Sequence, residues 1–329
     1  MHWIERHWYR LSTLSIALLP LSFVFLAVVT VRRLLYRARL LASDQLPVPV
    51  IVVGNISVGG TGKTPLVLWL ADALRDAGFH PGIITRGYGG NEEVQAVAPD
   101  ADTALAGDEP VLLAQRSRCP VWTGRNRVAA ARGLLAHHRE VNVLISDDGL
   151  QHYRLRRDIE IAALDGERGV GNGLMLPAGP LREPIRRLRS MDGVVVNGTT
   201  RLTPPHRYGM HLEGRRFVNL LNPVVQFAPE AFRGKTLHAV AGIGNPQRFF
   251  AHLAALDLTF TAHPFPDHHR FCAADLHFPD ADAVLMTEKD AVKCIGFARE
   301  NFWFLPVEAK VDSALADLIL DKLKARHGR

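Results

Sequence analysis

Residues 54–65, GNISVGGTGKTP, constrain the fold of this chain more than any other feature. They follow LPVPVIVVGN (residues 46–55), a Val/Ile-rich run of the kind found in buried parallel strands. A helical pattern over residues 65–77 comes next, and Gly78 stops it. A glycine-rich loop between a strand and a helix aims backbone N–H groups and the helix N-terminus at phosphate. The order of strand, loop and helix therefore predicts a nucleotide-binding α/β fold.

The loop departs from the P-loop pattern G-x-x-x-x-G-K-[ST] at its first position, where Ser57 replaces glycine. Gly59 and Gly60 can supply the backbone freedom instead. In such a loop Lys63 holds the β- and γ-phosphates and the Thr64 hydroxyl binds Mg²⁺. A glycine-rich turn with a chance lysine is the alternative, and the flanking strand and helix argue against it. The predicted nucleotide-binding residues are Asn55, Ile56, Ser57, Val58, Gly59, Gly60, Thr61, Gly62, Lys63 and Thr64.

Further strands and helices alternate along the chain. Strands are predicted at residues 81–85, 141–146, 159–164 and 193–197, with helices at 109–116 and 127–138. This alternation predicts a doubly wound parallel sheet. Residues 199–231 are richer in proline than the segments before them, and a second strand, loop and helix pattern follows them. The predicted organisation is a membrane-associated helix over 1–40, a P-loop domain over 41–198, a connection over 199–231 and a smaller α/β domain over 232–329.

Residues 11–31 form an apolar run without a charge, and a bilayer core needs about 20 such residues in a helix. More arginines follow the run than precede it, which places the bulk of the chain in the cytoplasm. A spanning helix and a helix lying in the membrane interface both remain open, because Pro20 lies within the run. A cleaved signal peptide fits poorly, since the run is long and no A-x-A site follows. A buried core helix fits poorly with the basic flanks.

The net charge of +6 and pI of about 9.5 suit an anionic partner, such as nucleic acid, acidic lipid or a phosphorylated substrate. The arginine-rich residues 181–192, LREPIRRLRSMD, are the best candidate for nucleic-acid binding. They lack interleaved aromatic side chains and resemble no known module, so no nucleic-acid partner is predicted. The three cysteines are scattered, which predicts reduced thiols and neither a disulfide framework nor a zinc pattern.

Acidic residues follow one of the predicted strands. Asp147 and Asp148 end the strand in VNVLISDDGLQH, where a Walker-B carboxylate holds Mg²⁺. Neighbouring strand residues point to opposite faces, so the two aspartates are expected to have different roles. Asp108 and Glu109 begin a predicted helix, and a simple helix cap is their plainer interpretation.

Two loops of the C-terminal half are less informative. His268 lies in HPFPDHHRF, which by itself indicates only a polar loop. No matching set of Cys and His lies nearby, so a zinc site there is a minor option. Residues 242–247, GIGNPQ, lack the third glycine of a dinucleotide fingerprint and predict a tight turn into a helix.

Several segments together resemble the tetraacyldisaccharide 4′-kinases of lipid A biosynthesis, over nearly the whole chain. The segments are GNISVGGTGKTP, TRGYGG, GDEPVLLAQR, SDDGLQHYRLRRDIEI, LPAGPLREP, AGIGNPQRFF, FPDHHRF and MTEKDAVK. The resemblance implies a P-loop kinase domain on the cytoplasmic face of the bacterial inner membrane. Such an enzyme transfers the γ-phosphate of ATP to the 4′-hydroxyl of a tetraacyl glucosamine disaccharide 1-phosphate, giving lipid IVA for lipopolysaccharide. It implies ATP and Mg²⁺, the bilayer and the lipid as partners, and no obligate protein partner.

The resemblance also implies a role for particular residues. Asp108 matches the general base, His268 its partner and Lys63 the P-loop lysine. The implied metal-binding residues are Thr64, Glu109, Asp147 and Asp148, and the aspartate that touches Mg²⁺ directly is left open. The implied substrate-binding residues are Arg86, Tyr88, Arg127, Asp147, Gln151, His152 and Arg182.

A membrane-associated P-loop GTPase or metallochaperone-type switch is the rival class. Its guanine-reading pattern is [NT]-K-x-D, and residues 287–290, TEKD, have similar letters in the wrong order. Nucleotide preference distinguishes the two classes.

Overall fold

The structure, a computed structural model, describes residues 5–87, 90, 93–200 and 202–327. The α-helices are α1 (Glu5–Trp8), α2 (Thr13–Ala17), α3 (Leu19–Arg37), α4 (Lys63–Asp76), α5 (Thr103–Ala106), α6 (Asp108–Ser117), α7 (Arg127–His137), α8 (Pro246–Ala255), α9 (Glu288–Cys294) and α10 (Ala314–His327). The first strands are β1 (Val50–Gly54), β2 (Pro81–Thr85), β3 (Gln95–Ala96), β4 (Val121–Thr123), β5 (Val143–Asp147), β6 (Ile159–Asp165), β7 (Gly193–Asn197) and β8 (Arg207–Glu213). The later strands are β9 (Phe217–Asn219), β10 (Gln226–Phe227), β11 (Leu237–Ala241), β12 (Thr261–Pro264), β13 (Ala283–Thr287), β14 (Phe302–Leu305) and β15 (Glu308–Val311).

A nine-stranded sheet in the order β15-β8-β7-β6-β1-β5-β2-β4-β3 forms what we call the first unit, together with its helices. Its central strands pair in parallel, from β4 through β1 to β8. Helices α4, α6 and α10 contribute to the hydrophobic core on one face, and α7 contributes to the core on the other. Because both faces are covered, every residue of β1, β2, β5 and β7 is buried, which explains their near-continuous apolar sequences. The predicted doubly wound α/β fold is confirmed.

A six-stranded sheet in the order β10-β9-β14-β13-β11-β12 forms the second unit with α8 and α9. The four strands β11 to β14 pair in parallel and have their own apolar cores. Sheet membership differs from the boundaries we predicted, because β8 and β15 pair with each other in the first sheet. Helix α10 returns as well, and Leu315 and Ile319 enter the first core. Strand β15 covers an edge of β8 that would otherwise be open, and such long-range pairing leaves no local sequence signal.

Helix α3 has a mean hydropathy of 1.7, and within the described residues it alone is long and apolar enough to cross a membrane. Pro20 lies in its first turn and begins the helix instead of breaking it. The helix lies along the first unit: near one end the Ser22 hydroxyl donates to the Met175 carbonyl at 2.9 Å, and near the other Arg33 donates to the Ser190 hydroxyl at 3.0 Å. Its outward side is apolar, with side chains more than half exposed. These are Leu21, Val24, Val28 and Val31.

Candidate active site

The phosphate-binding loop leaves the sheet at its centre, because β1 lies between β5 and β6. Helix α4 begins at Lys63, so the loop ends at a helix N-terminus as predicted. Gly62, the residue before it, has φ of +89°, and a Cβ there would lie 2.6 Å from the Asn197 side-chain nitrogen. Only glycine fits both the backbone angle and the space. The Val58 N–H donates to the Pro180 carbonyl at 2.9 Å, which fixes the other side of the loop.

Lys63 and Asp148 face each other across this loop. The Lys63 Nζ lies 3.5 Å from Asp148 Oδ1, and Arg182 approaches the same carboxylate at 3.3 Å. Burial by itself would raise the pKa of Asp148, but the charges of Lys63 and Arg182 outweigh it and hold the pKa at about 2. Asp148 therefore stays ionised and anchors two cations beside the loop.

Asp147 has a different environment from its neighbour. It ends β5 and is buried, and the Thr85 hydroxyl donates to its Oδ2 at 3.3 Å. Burial, followed by the Glu109 carboxylate, raises the pKa of Asp147 to about 7. Asp148 lies beyond the strand with φ of +48°. The two carboxylates diverge because one ends the strand and the other occupies a turn, which differs from the alternation along a strand that we predicted.

The oxygen atoms at this edge suit Mg²⁺. Asp147 Oδ1 is buried and has no hydrogen-bond partner among the described residues. Within the same residues no three His, Cys, Asp or Glu side chains form a metal-binding cluster by themselves. Mg²⁺ is usually held by one or two carboxylates together with water and substrate phosphates, so one open carboxylate beside a P-loop fits this ion. Of the other predicted ligands, Thr64 is in the first turn of α4, Asp148 contacts Lys63, and Glu109 accepts a hydrogen bond from Lys289.

Asp108 and His268 come together from the two units. Asp108 is the first residue of α6 and is 5% exposed, and His268 lies in the loop after β12 with φ of +58°. The His268 Nδ1 lies 3.0 Å from Asp108 Oδ2. Burial raises the pKa of Asp108, but the hydrogen bond from His268 and the charge of Lys289 outweigh it and bring the pKa to about 2. Burial lowers the pKa of His268, whereas the Asp108 hydrogen bond raises it above its usual value.

Contacts of Gly244 join this pair to the phosphate-binding loop. A Cβ on Gly244 would lie 2.7 Å from the Gly60 nitrogen and 3.2 Å from Asp267 Oδ2. Residues 242–247 form the predicted turn, which enters α8 at Pro246. The turn therefore places Gly244 of the second unit against Gly60 of the loop, with Asp267, the residue before His268, beside it.

The predicted substrate-binding residues have varied surroundings. Gln151 donates to the Asn55 carbonyl at 3.0 Å and so touches the start of the loop. His152 is half-buried, and burial and nearby arginines lower its pKa to about 4. Arg127 is buried and donates to the backbone carbonyls of Gly124 and Asp147. Arg86 is exposed directly after β2, and Arg182 contacts Asp148. Tyr88 lies outside the described residues.

Glu183 was not among the predicted site residues, although it lies in the segment LPAGPLREP. Its side chain is fully buried and accepts hydrogen bonds from Gln151 at 2.8 Å, from the Tyr153 hydroxyl at 2.7 Å and from Arg187 at 3.2 Å. Glu183 thus fixes the Gln151 amide against the loop. A single glutamate in an arginine-rich segment gave no signal that it would be buried.

The strand, loop and helix with acidic strand ends define a P-loop α/β protein. A family model described as tetraacyldisaccharide-1-P 4′-kinase matches residues 14–324. The chain therefore belongs to this family and is a kinase, which removes support for the rival GTPase class.

Curated relatives and a solved structure agree with the family model. A tetraacyldisaccharide 4′-kinase of Methylobacillus flagellatus is 53% identical over 98% of this chain and 96% of its own length. One from an Azoarcus species is 50% identical over 98% and 95%. The crystal structure of LpxK from Aquifex aeolicus in complex with ATP is similar with a TM-score of 0.79 and 30% identity, covering 94% of this chain and 100% of that one.

Proposed function

We propose that this kinase transfers the γ-phosphate of ATP to the 4′-hydroxyl of a tetraacyl glucosamine disaccharide 1-phosphate, giving lipid IVA in lipid A biosynthesis. The observation that carries the proposal is the 3.0 Å contact of Asp108 with His268, made by the same two units that meet at Gly60 of the P-loop and Gly244. A P-loop alone serves many reactions, whereas a buried carboxylate paired with histidine adds a proton acceptor for an alcohol. The relatives' names supply the class of acceptor.

Charge placement explains how the residues would act. Lys63 and the N-terminus of α4 would stabilise the negative charge of the triphosphate. Arg182 contacts Asp148 beside the loop, and from this position its guanidinium would turn toward an incoming phosphate. Asp147 and the Thr64 hydroxyl would hold Mg²⁺, with Glu109 and Asp148 nearby, and the ion would neutralise charge on the β- and γ-phosphates. Arg86 follows β2 and Gln151 lies shortly after β5, so both are at the same edge of the sheet, and they would contact the sugar head group.

Asp108 would accept the proton of the 4′-hydroxyl while His268 holds the carboxylate in place. The low pKa of Asp108 keeps it ionised and ready to accept a hydrogen bond from the hydroxyl. A strong base is not needed, because phosphoryl transfer passes through a loose transition state in which positioning dominates.

Lipid phosphorylation by the purified protein is the direct test. The protein would be incubated with labelled ATP and the disaccharide 1-phosphate in mixed micelles, and a bisphosphorylated lipid is the expected product. GTP in place of ATP, and the same lipid with its 4′-hydroxyl blocked, serve as controls. Label that appears only as free phosphate, or product from the blocked lipid, would contradict the proposal.

We further propose that α3 lies in the cytoplasmic interface of the inner membrane instead of spanning it. The contacts of Ser22 and Arg33 with the first unit keep both ends of the helix against the protein. A spanning helix is surrounded by lipid and cannot keep such contacts along its length. The exposed valines of the outward side would instead enter the acyl boundary. The kinase would then meet the head group of a substrate whose acyl chains stay in the bilayer.

Charged residues on the outward side of α3 test this arrangement. The V24E/V28E variant is expected to bind phospholipid vesicles about 10-fold or more weakly, since burial of each valine contributes roughly 1.5 kcal/mol. Vesicle flotation measures the binding. V224E, at a residue that is 89% exposed on the second unit, is the matched control and should float as the parent does. Retention of V24E/V28E in membranes washed with alkaline carbonate would instead indicate a spanning helix.

A further inference from the structure

Lys289 lies at the contact between the two units, in the segment MTEKDAVK to which no role has been given. It is in the first turn of α9, and its side chain is 17% exposed. The ammonium lies 2.9 Å from Glu109 Oε1, 3.4 Å from Asp267 Oδ1 and 3.9 Å from Asp108 Oδ2. One cation of the second unit thus contacts both acidic residues that begin α6 and the residue before His268.

Without that cation, like charges would oppose each other across the contact between the two units. Asp108 and Glu109 belong to the first unit, whereas Asp267 approaches them from the second. Carboxylates that share one ammonium lie close to each other, so their mutual repulsion is strong in a partly buried site. Lys293 is also 3.9 Å from Asp108, but its closest contact is Asp290 at 2.6 Å. Lys289 is therefore the cation placed to offset the repulsion that Asp267 introduces.

We propose that Lys289 is a positioning residue that holds the loop containing Asp267 and His268 against α6, so that His268 reaches Asp108. The inference rests on the proposed function, since the Asp108–His268 pair is assigned there. Lys289 acts through these carboxylates and through its own 3.5 Å contact with His268 Nε2, and no contact with the phosphate or the sugar is required of it.

A neighbouring ion pair provides a matched control. Arg116 of α6 lies 2.5 Å from Glu288 of α9, so it joins the same two helices one residue away from Lys289. The variant R116Q/E288Q removes both charges and leaves no buried charge without a partner. If any ion pair between α6 and α9 were enough to align the units, this variant and K289Q would behave alike.

The first measurement is steady-state kinetics with ATP and the disaccharide lipid. K289Q is expected to lower kcat by about 10²-fold, the effect that 1 Å of misplacement near a reacting centre can have. KM for ATP should change by less than about 3-fold, since the P-loop is untouched. K289R keeps the charge, and its kcat should be about 10-fold or more higher than that of K289Q. R116Q/E288Q should stay close to the parent, and an equal loss in that variant would overturn the proposal.

The second measurement uses Asp267 to separate charge compensation from direct participation. D267N alone should lower kcat, because it removes an acceptor of the Lys289 ammonium. In the K289Q background the same substitution should raise kcat by about 5-fold or more, since it removes the uncompensated repulsion. A lysine that acted directly on the phosphate would show no such rescue. A double variant no more active than K289Q would therefore overturn the proposal.

Hydrogen exchange of residues 265–271 gives a readout that does not depend on turnover. The backbone amides of this loop should exchange about 10-fold or more faster in K289Q than in R116Q/E288Q, because K289Q removes the contacts that hold the loop against α6. Unchanged exchange would overturn the proposal even if activity fell. If the parent protein made no bisphosphorylated lipid but the loop still loosened in K289Q, the proposed function would fail and the role of Lys289 would stand.

Discussion

Replacing Lys63 with alanine should lower kcat for lipid phosphorylation by about 10³-fold, the upper range for loss of one preorganised charge-stabilising group. Lys63 is the first residue of α4, and its side chain is 13% exposed beside Asp148. Without it Asp148 loses one of its two ion-pair partners and keeps Arg182, and the site loses the charge that would balance the transferring phosphate. Steady-state kinetics with labelled ATP, together with ATP binding by calorimetry, measures the effect.

Two further variants test whether the loss of kcat is specific to the ammonium of Lys63. K63R keeps the charge but replaces a compact ammonium by a planar fork, so only a minor part of the activity should return. K310A removes a half-exposed lysine of β15 that pairs with Glu308, and it should behave as the parent does. Product formation by K63A at the parent rate would exclude the loop as the phosphate site.

Much of the first unit could be predicted because its signals are local. Strands β2 and β7 have the bounds that the Val/Ile runs predicted, and α4 begins at the loop lysine. The carboxyl ends of parallel strands share one edge of a sheet, so residues after β1, β2 and β5 had to meet there. This rule brings Lys63, Arg86 and Asp148 to one side of the sheet without any knowledge of long-range contacts.

Contacts between distant segments could not be derived in this way. Strand β15 joins β8 in the first sheet, although the intervening chain builds most of the second unit. Asp108 and His268 are 160 residues apart, and only the family resemblance paired them. Arg127, for which the resemblance implies a substrate contact, is buried and donates to backbone carbonyls, which the sequence did not indicate. Whether a polar side chain faces solvent or the core depends on packing that single-residue patterns do not encode.

Substitutions in the Asp108–His268 pair should also lower kcat strongly. Asp108→Ala and His268→Ala are each expected to lower kcat by about 10²- to 10⁴-fold, the range for a positioned acid–base group. ATP binding should survive in both, because neither residue belongs to the phosphate loop. The same assays measure kcat and ATP affinity. H269A, at the neighbouring histidine that contacts Asp275 at 3.0 Å, is the matched control and should keep most of the activity.

The double variant decides whether the two residues act together. If Asp108 accepts the proton while His268 positions the carboxylate, D108A/H268A should be little slower than the slower single variant, since a partner has no function once the other is lost. Multiplied losses would show that the residues act independently at different steps. Turnover near the parent rate in both single variants would remove the pair from the mechanism. The P-loop would then be the part of the site to which phosphate transfer is still assigned, and another group would have to receive the proton of the 4′-hydroxyl.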